Sequence, residues 1–424
     1  MLVWHSIINA RPIPGQTEIG YCVTRFCQTA IIGAGPYGLS LAAHLGAAGA
    51  DFRIFGKPMT SWRDNMPVGM MLKSDGFASN LSAPDPESTL KAWCAARGVE
   101  YHDELIPVPL SVFVDYSAWF QQRYVPSLEE NQVISLAKSK RGFLLTLDTG
   151  ETLEAANAVL AVGINWFQNV PASLQGLSPE LLSHSFGHRE LKQFAGKRVL
   201  ILGAGASAVN AAVMAQEDGV DVALVARVHA VQFHTAPDPD AVSWLRSITH
   251  PSSGIGPGWR SFLCSNAPRL FRRMPDALRL RATKRHLGPE SGWFMQGKLH
   301  AQQYLGHTLE GAREEGGRAM LITRKEGERH EIAADHIIAA TGFRPDLRRL
   351  AFLDDALREQ IAHLEHTPRL SDRFETSVPG LYVMGILAAN TFGPLMRFMV
   401  GAEYVAPRAA AYLQKAEDKV RKVA

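Results

Sequence analysis

The sequence has few cysteines, no long apolar run and little net charge. Its four cysteines (Cys22, Cys27, Cys94 and Cys264) form no C-x-x-C pair, which argues against a dithiol-reducing active site and is typical of reduced thiols in a cytoplasmic protein. No run of about 18 apolar residues occurs, so we expect no membrane span. A net charge of +3 is too small to indicate a nucleic-acid or membrane-surface partner.

The remaining composition is that of a globular protein. The chain has 424 residues, of which 46% are apolar and 20% charged, enough for two or three domains. Residues 1–28 lack the charged start and apolar core of a signal peptide, and they are predicted to form a loosely ordered extension. We expect no metal site.

A glycine-rich turn follows the first apolar run. The run ends at Gly33, and Gly35, Pro36, Tyr37 and Gly38 lead into an Ala/Leu-rich helical pattern. In a dinucleotide-binding fold these glycines make the tight turn, admit a pyrophosphate and allow close helix packing, while the helix N-terminus attracts phosphate. The alternative is an ordinary strand-to-helix turn.

A second copy of this pattern favours the nucleotide reading. Gly203 and Gly205 follow another apolar run, a helix is predicted to open at Ser207 and Ala208, and Ala208 takes the place of the third glycine. Two such units 170 residues apart predict one site for FAD and one for NAD(P)H.

The residue that follows the second strand of each unit indicates how the ribose of the nucleotide is bound. In the second unit Arg227 follows that strand, where a cation can meet the 2′-phosphate of NADP; the alternative is a solvent-exposed arginine. In the first unit Gly56 and Lys57 replace the usual acid, and Asp51 lies too early. Either Lys57 and the backbone hold the FAD ribose, or that site is looser than usual.

Further candidates come from loops and strand ends. The loop 57–81 is rich in Met and polar residues, which predicts a functional loop or else a surface loop whose apolar residues cap the core. Apolar strands end at Gly163, Gly342 and Gly385, with Gly163 placed close to a ligand. The segment 392–397, which contains Leu395, precedes a helix whose N-terminus we expect to point at a flavin carbonyl.

These features predict an α/β fold with two Rossmann-like, three-layer dinucleotide-binding domains. We expect the FAD domain at 29–165 and 336–424, split by an NAD(P)H domain at 166–335. Two helices are predicted within 90–124, a β-meander at 132–153 and a hairpin at 318–331.

An insertion is expected at 228–310 within the NAD(P)H domain. It is predicted to cover the active site and shape substrate choice, with arginines that weakly favour an anionic substrate; the alternative is a helical decoration with solvated arginines. Its tryptophans and arginines are Trp244, Trp259, Trp293, Arg246, Arg260, Arg269, Arg272, Arg273, Arg279, Arg281 and Arg285.

Together the motifs resemble the two-dinucleotide flavoproteins, and within them the flavin-containing (class B) monooxygenases. The resemblance rests on 33–38, 203–207, 340–346 and 380–385. Residues 55–59 with Trp62, and 69–80, resemble a bacterial branch of FAD-dependent urate hydroxylase and lysine/ornithine N-hydroxylase-like proteins. Of the family fingerprint before the second turn, only His184 is present.

The resemblance implies FAD and NADPH as cofactors and O₂ as co-substrate. It implies that reduced FAD captures O₂ as a C4a-peroxyflavin that oxygenates a small nitrogenous or heteroaromatic metabolite such as uric acid or an amino-acid amine. Asn80 resembles the asparagine that these enzymes place beside the flavin, a catalytic role whose alternative is a loop Asn that satisfies its own backbone. A homodimer is left open.

Two other functions remain open on the sequence. One is an NAD(P)H-dependent flavin reductase or oxidase that inserts no oxygen. The other is a non-catalytic flavin-binding redox sensor, which the missing acid at Gly56 keeps open.

Overall fold

The computed structural model of the protein describes residues 25–236, 248–286 and 288–423. Most of the predicted N-terminal extension, with Cys22, lies outside these residues, as do Trp244 and Arg246 of the predicted insertion. None of the helices within the described ranges is long and apolar enough to cross a membrane.

A strand, a helix and a strand follow one another at each glycine turn, whereas elsewhere strands and helices come in consecutive groups. The strands are β1 Arg25–Ile32, β2 Phe52–Phe55, β3 Val133–Ser139, β4 Gly142–Leu147, β5 Thr152–Leu160, β6 Leu182–His184, β7 Arg198–Leu202, β8 Asp221–Ala226, β9 Gln302–Leu305, β10 Thr308–Glu315, β11 Arg318–Lys325, β12 Glu328–Ala334, β13 His336–Ala339, β14 His363–Leu364, β15 Thr367–Pro368 and β16 Leu381–Val383. The α-helices are α1 Pro36–Ala47, α2 Thr60–Arg63, α3 Leu90–Arg97, α4 Leu110–Tyr124, α5 Ala206–Glu217, α6 Trp259–Asn266, α7 Pro268–Arg272, α8 Asp276–Arg285, α9 Asp355–Glu359, α10 Ala389–Phe392 and α11 Gly401–Val423. Short 3-10 helices include Gly76–Ala78, Trp293–Lys298 and Pro394–Arg397.

The first sheet joins residues from both halves of the chain. Strand β1 pairs in parallel with β2 on one side and with β5 on the other, so that Ile32 lies beside both Phe55 and Leu160. The first half of β5 also pairs with β4 in an antiparallel meander, and its second half pairs in parallel with β16. The first domain is therefore split in sequence, and the predicted meander is confirmed.

The second sheet is parallel throughout, in the order β6-β13-β7-β8-β9. Val199 and Ile201 of β7 lie in a buried cluster with residues of α5, whereas Leu200 and Leu202 lie in a second cluster with residues of β11 and β12. Both faces of the sheet are thus covered, which explains why β7 is an unbroken apolar run rather than an alternating one. The α/β fold with two dinucleotide-binding domains is confirmed.

Two predicted boundaries need correction. The boundary between 335 and 336 separates β13 from its own sheet, since β13 pairs with β6 and β7. The insertion predicted for 228–310 includes β9, which is the edge strand beside β8, and the start of β10. Strands β9 and β13 have only four residues each, too few for a sequence pattern to show which sheet they join.

Candidate functional site

The first glycine turn has the geometry that its sequence predicts. Gly33 has φ +114°, and a Cβ there would lie 2.4 Å from the carbonyl oxygen of Ala161. A Cβ on Gly38 would lie 1.8 Å from the carbonyl oxygen of Gly33. A Cβ on Gly35 would meet nothing within 4 Å. Packing therefore requires glycine at 33 and 38, whereas Gly35 keeps space free at the start of α1.

The second glycine turn repeats this arrangement. Gly203 has φ +141°, and its Cβ would lie 2.5 Å from the carbonyl oxygen of Ala340. Gly205 faces Pro289, whose Cβ would lie 3.2 Å from an added methyl group. Neither α1 nor α5 has a side chain that caps its first N–H groups, so both helix N-termini offer free donors to an anion.

One cavity of about 1840 Å³ connects the two turns. Ligand sites usually have about 300–1,000 Å³, so this cavity has room for more than one ordinary ligand. It lies at the carboxyl ends of the parallel strands, where ligands bind in open α/β sheets. The residues that directly follow those strands and line the cavity are Gly33, Gly56, Ala161, Gly203, Arg227, Ala340 and Met384.

The cavity brings together most of the residues predicted from sequence. Gly38 is not in its wall and acts through helix packing, as expected for the third glycine. Asn80 and Leu395 are not in the wall either. The predicted residues that line the cavity are Gly33, Gly35, Pro36, Tyr37, Lys57, Trp62, Gly163, Gly203, Gly205, Ser207, Arg227, Gly342 and Gly385.

The hydrogen bonds of Asn80 are those of a loop asparagine that satisfies nearby backbone groups, which was the alternative to a catalytic role. Its Nδ2 donates to the carbonyl oxygen of Phe77 at 3.0 Å, and its Oδ1 accepts from the backbone N–H of Leu90 at 2.9 Å. Burial raises the pKa of Glu403, and the Asn80 amide lowers that pKa again in part. The amide is thus committed to local structure, so the structure does not support a role beside the flavin.

Leu395 is 2% exposed and packs into the core rather than the cavity. Its chain neighbours from Met396 to Val400 form the wall instead. Tyr37 donates from its hydroxyl to the carbonyl oxygen of Phe398 at 2.8 Å, which joins the first glycine turn to this segment. The last long helix begins only at Gly401, four residues beyond the predicted segment 392–397.

The replacement of the ribose acid is visible at the end of β2. The backbone N–H of Gly56 donates to the carbonyl oxygen of Glu129 at 2.9 Å. Asp51 accepts from the backbone N–H of Gln28 at 2.9 Å and does not line the cavity. Lys57 and Gln132 are the polar side chains in this part of the wall; sequence reasoning missed Gln132, which follows the loop before the meander and carries no motif.

A polar cluster on the cavity wall was not predicted. Lys73 donates from Nζ to the carbonyl oxygen of Glu290 at 2.7 Å, and the Glu290 carboxylate lies 3.1 Å from Nε2 of His234. Burial lowers the pKa of both Lys73 and His234. Arg397 also lines the cavity and lowers the pKa of Lys73 further. Lys73 lies in the loop 57–81 that was predicted to be functional, but no feature of the sequence indicated Glu290.

The predicted insertion covers the cavity, but not with its arginines. Residues 252–257 and 292–294 line the wall, whereas none of the seven predicted arginines within the described ranges does so. Arg279 is buried and bonds to Asp276 and to the carbonyl oxygen of Thr391, and Arg272 donates to that of Leu370 at 3.1 Å. These arginines therefore give no support to the expectation of an anionic substrate.

His184, the one fingerprint residue that the sequence keeps, joins β6 to the cavity wall. Its Nδ1 accepts from the backbone N–H of Phe186, which assigns the proton to Nε2. That Nε2 donates to the carbonyl oxygen of Gly342 at 3.0 Å. The histidine therefore positions a wall glycine and does not enter the cavity itself.

A sequence-family match agrees with this geometry. Residues 30–252, more than half of the chain, match the family of pyridine nucleotide-disulphide oxidoreductases. The chain belongs to this family. In this family member Cys27, Cys94 and Cys264 are free, and none of these three cysteines lines the cavity.

Solved structures show the same fold over nearly the whole chain. The ornithine N-hydroxylase KtzI of Kutzneria sp. 744, in a complex with reduced FAD, NADP⁺ and L-ornithine, has a TM-score of 0.74 at 14% identity and covers 92% of this chain and 100% of its own. The bacillithiol disulfide reductase Bdr (YpdA) of Staphylococcus aureus has a TM-score of 0.63 at 16% identity and covers 93% and 99%. The resemblance to two-dinucleotide flavoproteins is thereby confirmed at the level of the fold.

A curated relative matches a smaller part of this family member. The FAD-dependent urate hydroxylase of Xanthomonas campestris pv. campestris is 32% identical over 144 residues. The match covers 32% of this chain and 30% of that hydroxylase.

Proposed function

We propose that the protein is a monooxygenase that uses FAD and NADPH to insert one oxygen atom into a small nitrogenous or heteroaromatic metabolite. The observation that carries this proposal is the single cavity that two uncapped helix N-termini share. The urate hydroxylase relative and the ornithine hydroxylase fold favour oxygen insertion and supply two candidate substrates.

The residues around the first turn fit a dinucleotide such as FAD. The space beside Gly35 admits a pyrophosphate close to the backbone, and the free N–H groups of α1 would donate to it. Lys57 and Gln132 would hold the ribose and adenine end, in place of the missing acid. The segment 396–400 and Trp62 would form the wall at the flavin end.

The residues around the second turn fit NADPH. Ser207 lies in the first turn of α5 and Arg227 follows β8, both on the cavity wall. An arginine at this strand end pairs with a 2′-phosphate better than with a free ribose. Pro289 lies against Gly205 and would have to move aside for a pyrophosphate to approach the backbone of this turn.

The protein's own contribution is to bind, orient and exclude water. When bound, the two cofactors supply hydride transfer and the activation of O₂. Residues of loop 57–75, of 252–257 and of 289–294 cover parts of the cavity. The hydrogen bond from Lys73 to Glu290 joins loop 57–75 to residues 289–294. This contact favours chemistry away from bulk water.

The test is anaerobic reduction of the FAD-loaded protein by NADPH and by NADH, followed by oxygenated buffer with urate, L-ornithine or no addition. We expect faster reduction by NADPH, and with the correct substrate less hydrogen peroxide per NADPH consumed together with an oxygenated product. No reduction by either nucleotide would refute the enzyme proposal.

A reductase or oxidase that inserts no oxygen is the second candidate, and the fold shared with a disulfide reductase favours it. It predicts stoichiometric peroxide that no candidate substrate reduces. Mass spectrometry of each reaction for a product 16 mass units heavier than its substrate distinguishes the two functions.

A further inference from the structure

The helices α6, α7 and α8 form a strongly basic part of the chain. Residues 248–286 contain eight arginines and lysines against one acid, Asp276, a net charge of +7 in a chain whose total is +3. The rest of the protein is therefore net negative. Arg260, Arg273, Arg281 and Arg285 are exposed, and none of them has an ion-pair partner within the described part of the chain.

The same part of the chain exposes large apolar side chains. Of the twelve most exposed ones among the described residues, five lie between 248 and 278. Ile248 is 55% exposed, Trp259 52%, Leu263 52%, Leu270 62% and Leu278 50%. Single exposed apolar residues are ordinary, but five within 31 residues mark an interaction surface.

Helical spacing separates an outer from an inner face. In α8, Leu278, Arg281 and Arg285 recur at three- and four-residue intervals on the exposed side, whereas Arg279 and Thr283 are buried. Arg279 and Thr283 donate to carbonyl oxygens of 391 and 389. This helix is therefore anchored from within and presents cations and a leucine outward.

The other two helices are arranged in the same way. In α6, Trp259 and Leu263 are exposed one turn apart, and Ser261 between them is buried and lines the cavity. In α7, Phe271 is buried while Leu270 is exposed. All three helices pack on the segment 389–397, so their outer faces point away from that common base. We call the exposed side chains of α6, α7 and α8, with Ile248, the insertion face.

We propose that the insertion face docks the protein on an anionic lipid surface. Arginines interleaved with Trp and Leu are the composition with which peripheral helices bind the headgroup region, where apolar side chains enter the acyl boundary and cations meet lipid phosphates. Ser261 faces the cavity from the opposite side of α6, so docking places the cavity one helix, about 10 Å, behind the membrane surface.

Charge and composition favour lipid over other occupants. A symmetric dimer through this face would bring two surfaces rich in exposed arginine together, which like-charge repulsion opposes. A nucleic acid would match the charge but would leave Trp259 and the four exposed aliphatic side chains against phosphates and water. An anionic bilayer complements both kinds of side chain.

The test is co-sedimentation of the FAD-loaded protein with vesicles of pure phosphatidylcholine and of phosphatidylcholine with 30 mol% phosphatidylglycerol. We expect binding to the anionic vesicles that weakens with added salt. The variant Arg260→Glu/Arg281→Glu/Arg285→Glu should lower the partition coefficient more than about 100-fold, since each arginine near an anionic surface contributes about fivefold. Trp259→Ser/Leu263→Ser should also bind more weakly.

The matched control is Lys140→Glu/Lys192→Glu/Lys197→Glu, which makes the same charge change at exposed lysines outside the insertion and should bind within about threefold of the wild type. Circular dichroism and retained flavin confirm folding of each variant. Equal sedimentation with neutral and anionic vesicles, or equal loss in the control variant, would overturn the proposal. Binding to single- or double-stranded DNA in place of vesicles, or self-association abolished by the Trp259 variant without vesicle binding, would also overturn it.

Discussion

The substitution Gly35→Ala separates cofactor binding from folding. Gly35 precedes α1 with φ −85° and ψ −171°, a conformation that alanine adopts without strain. A methyl group there meets no protein atom within 4 Å, so it occupies the space assigned to the FAD pyrophosphate. We therefore expect a protein that folds normally but binds FAD poorly.

The magnitudes follow from the two environments. Exchanging Gly for Ala at a helix N-cap costs less than about 1 kcal/mol in the free energy of unfolding. Displacing the pyrophosphate removes two charge-assisted hydrogen bonds of about 1.5–3 kcal/mol each, or at least about 100-fold in the Kd for FAD. In contrast, Gly38→Ala places a Cβ 1.8 Å from the Gly33 carbonyl oxygen and should lower the stability of the apoprotein itself by about 3 kcal/mol.

Two measurements on the apoproteins check this: titration of flavin fluorescence for the Kd, and urea unfolding without FAD for stability. The control is Gly176→Ala, an exposed glycine outside the cavity wall whose Cβ meets nothing within 4 Å; it should match the wild type in both. Wild-type FAD affinity in the Gly35 variant would refute the assignment of the first turn to the pyrophosphate.

Three further outcomes are expected. Arg227→Gln should raise the Kd for NADPH about 10-fold or more while changing the Kd for NADH less than about twofold. Anaerobic flavin reduction at varied nucleotide concentration measures both constants, and equal changes would contradict the contact with the 2′-phosphate. Asn80→Ala should lower the free energy of unfolding by about 1–2 kcal/mol and leave kcat unchanged, since two amide hydrogen bonds to the backbone are lost. A fall in kcat at wild-type stability would instead support a catalytic role for Asn80. Burial and then the neighbouring His336 lower the pKa of His188 from 6.5 to about 4. As the pH falls below 6.5, the unfolded chain therefore binds a proton at His188 before the folded protein does. The folded state loses stability in this way between about pH 6.5 and pH 4, and keeps it fully above pH 6.5. Urea unfolding at pH 7.5 and 5.0 should show a smaller acid loss for His188→Gln than for the wild type, and an identical loss would argue against this histidine as its source.

Local requirements explain why both glycine turns were predictable. A positive φ at Gly33 and Gly203, and the close helix approach at Gly38, follow from the neighbouring strand and helix of the same unit. The apolar runs at the ends of β1 and β5 and in β7 likewise reflect strand segments that are buried on both faces. These features can be recognised from local sequence, although the carbonyl oxygens of Ala161 and Ala340 also crowd Gly33 and Gly203 from other strands.

Three site assignments find no support in the structure, because contacts that the sequence pattern does not show decide the direction of these side chains. The setting of Asn80 resembled a flavin-side asparagine, but Leu90 and Phe77 take its amide. Leu395 lies next to wall residues in sequence yet turns into the core. The insertion's arginines were assigned to the cavity from composition, and composition carries no information about which face a helix presents.

The sequence by itself determined the two nucleotide turns and the α/β class, because each depends on contacts within one strand–turn–helix unit or on a repeated pattern. It also indicated the split first domain, but the pairing of β16 with β5 that joins its two halves is a tertiary contact. Tertiary structure alone decided the cavity that joins the turns, the contact between Lys73 and Glu290 across 217 residues and the outward direction of the basic helices. Those features depend on the packing of segments far apart in the chain, and no local pattern encodes their relative placement.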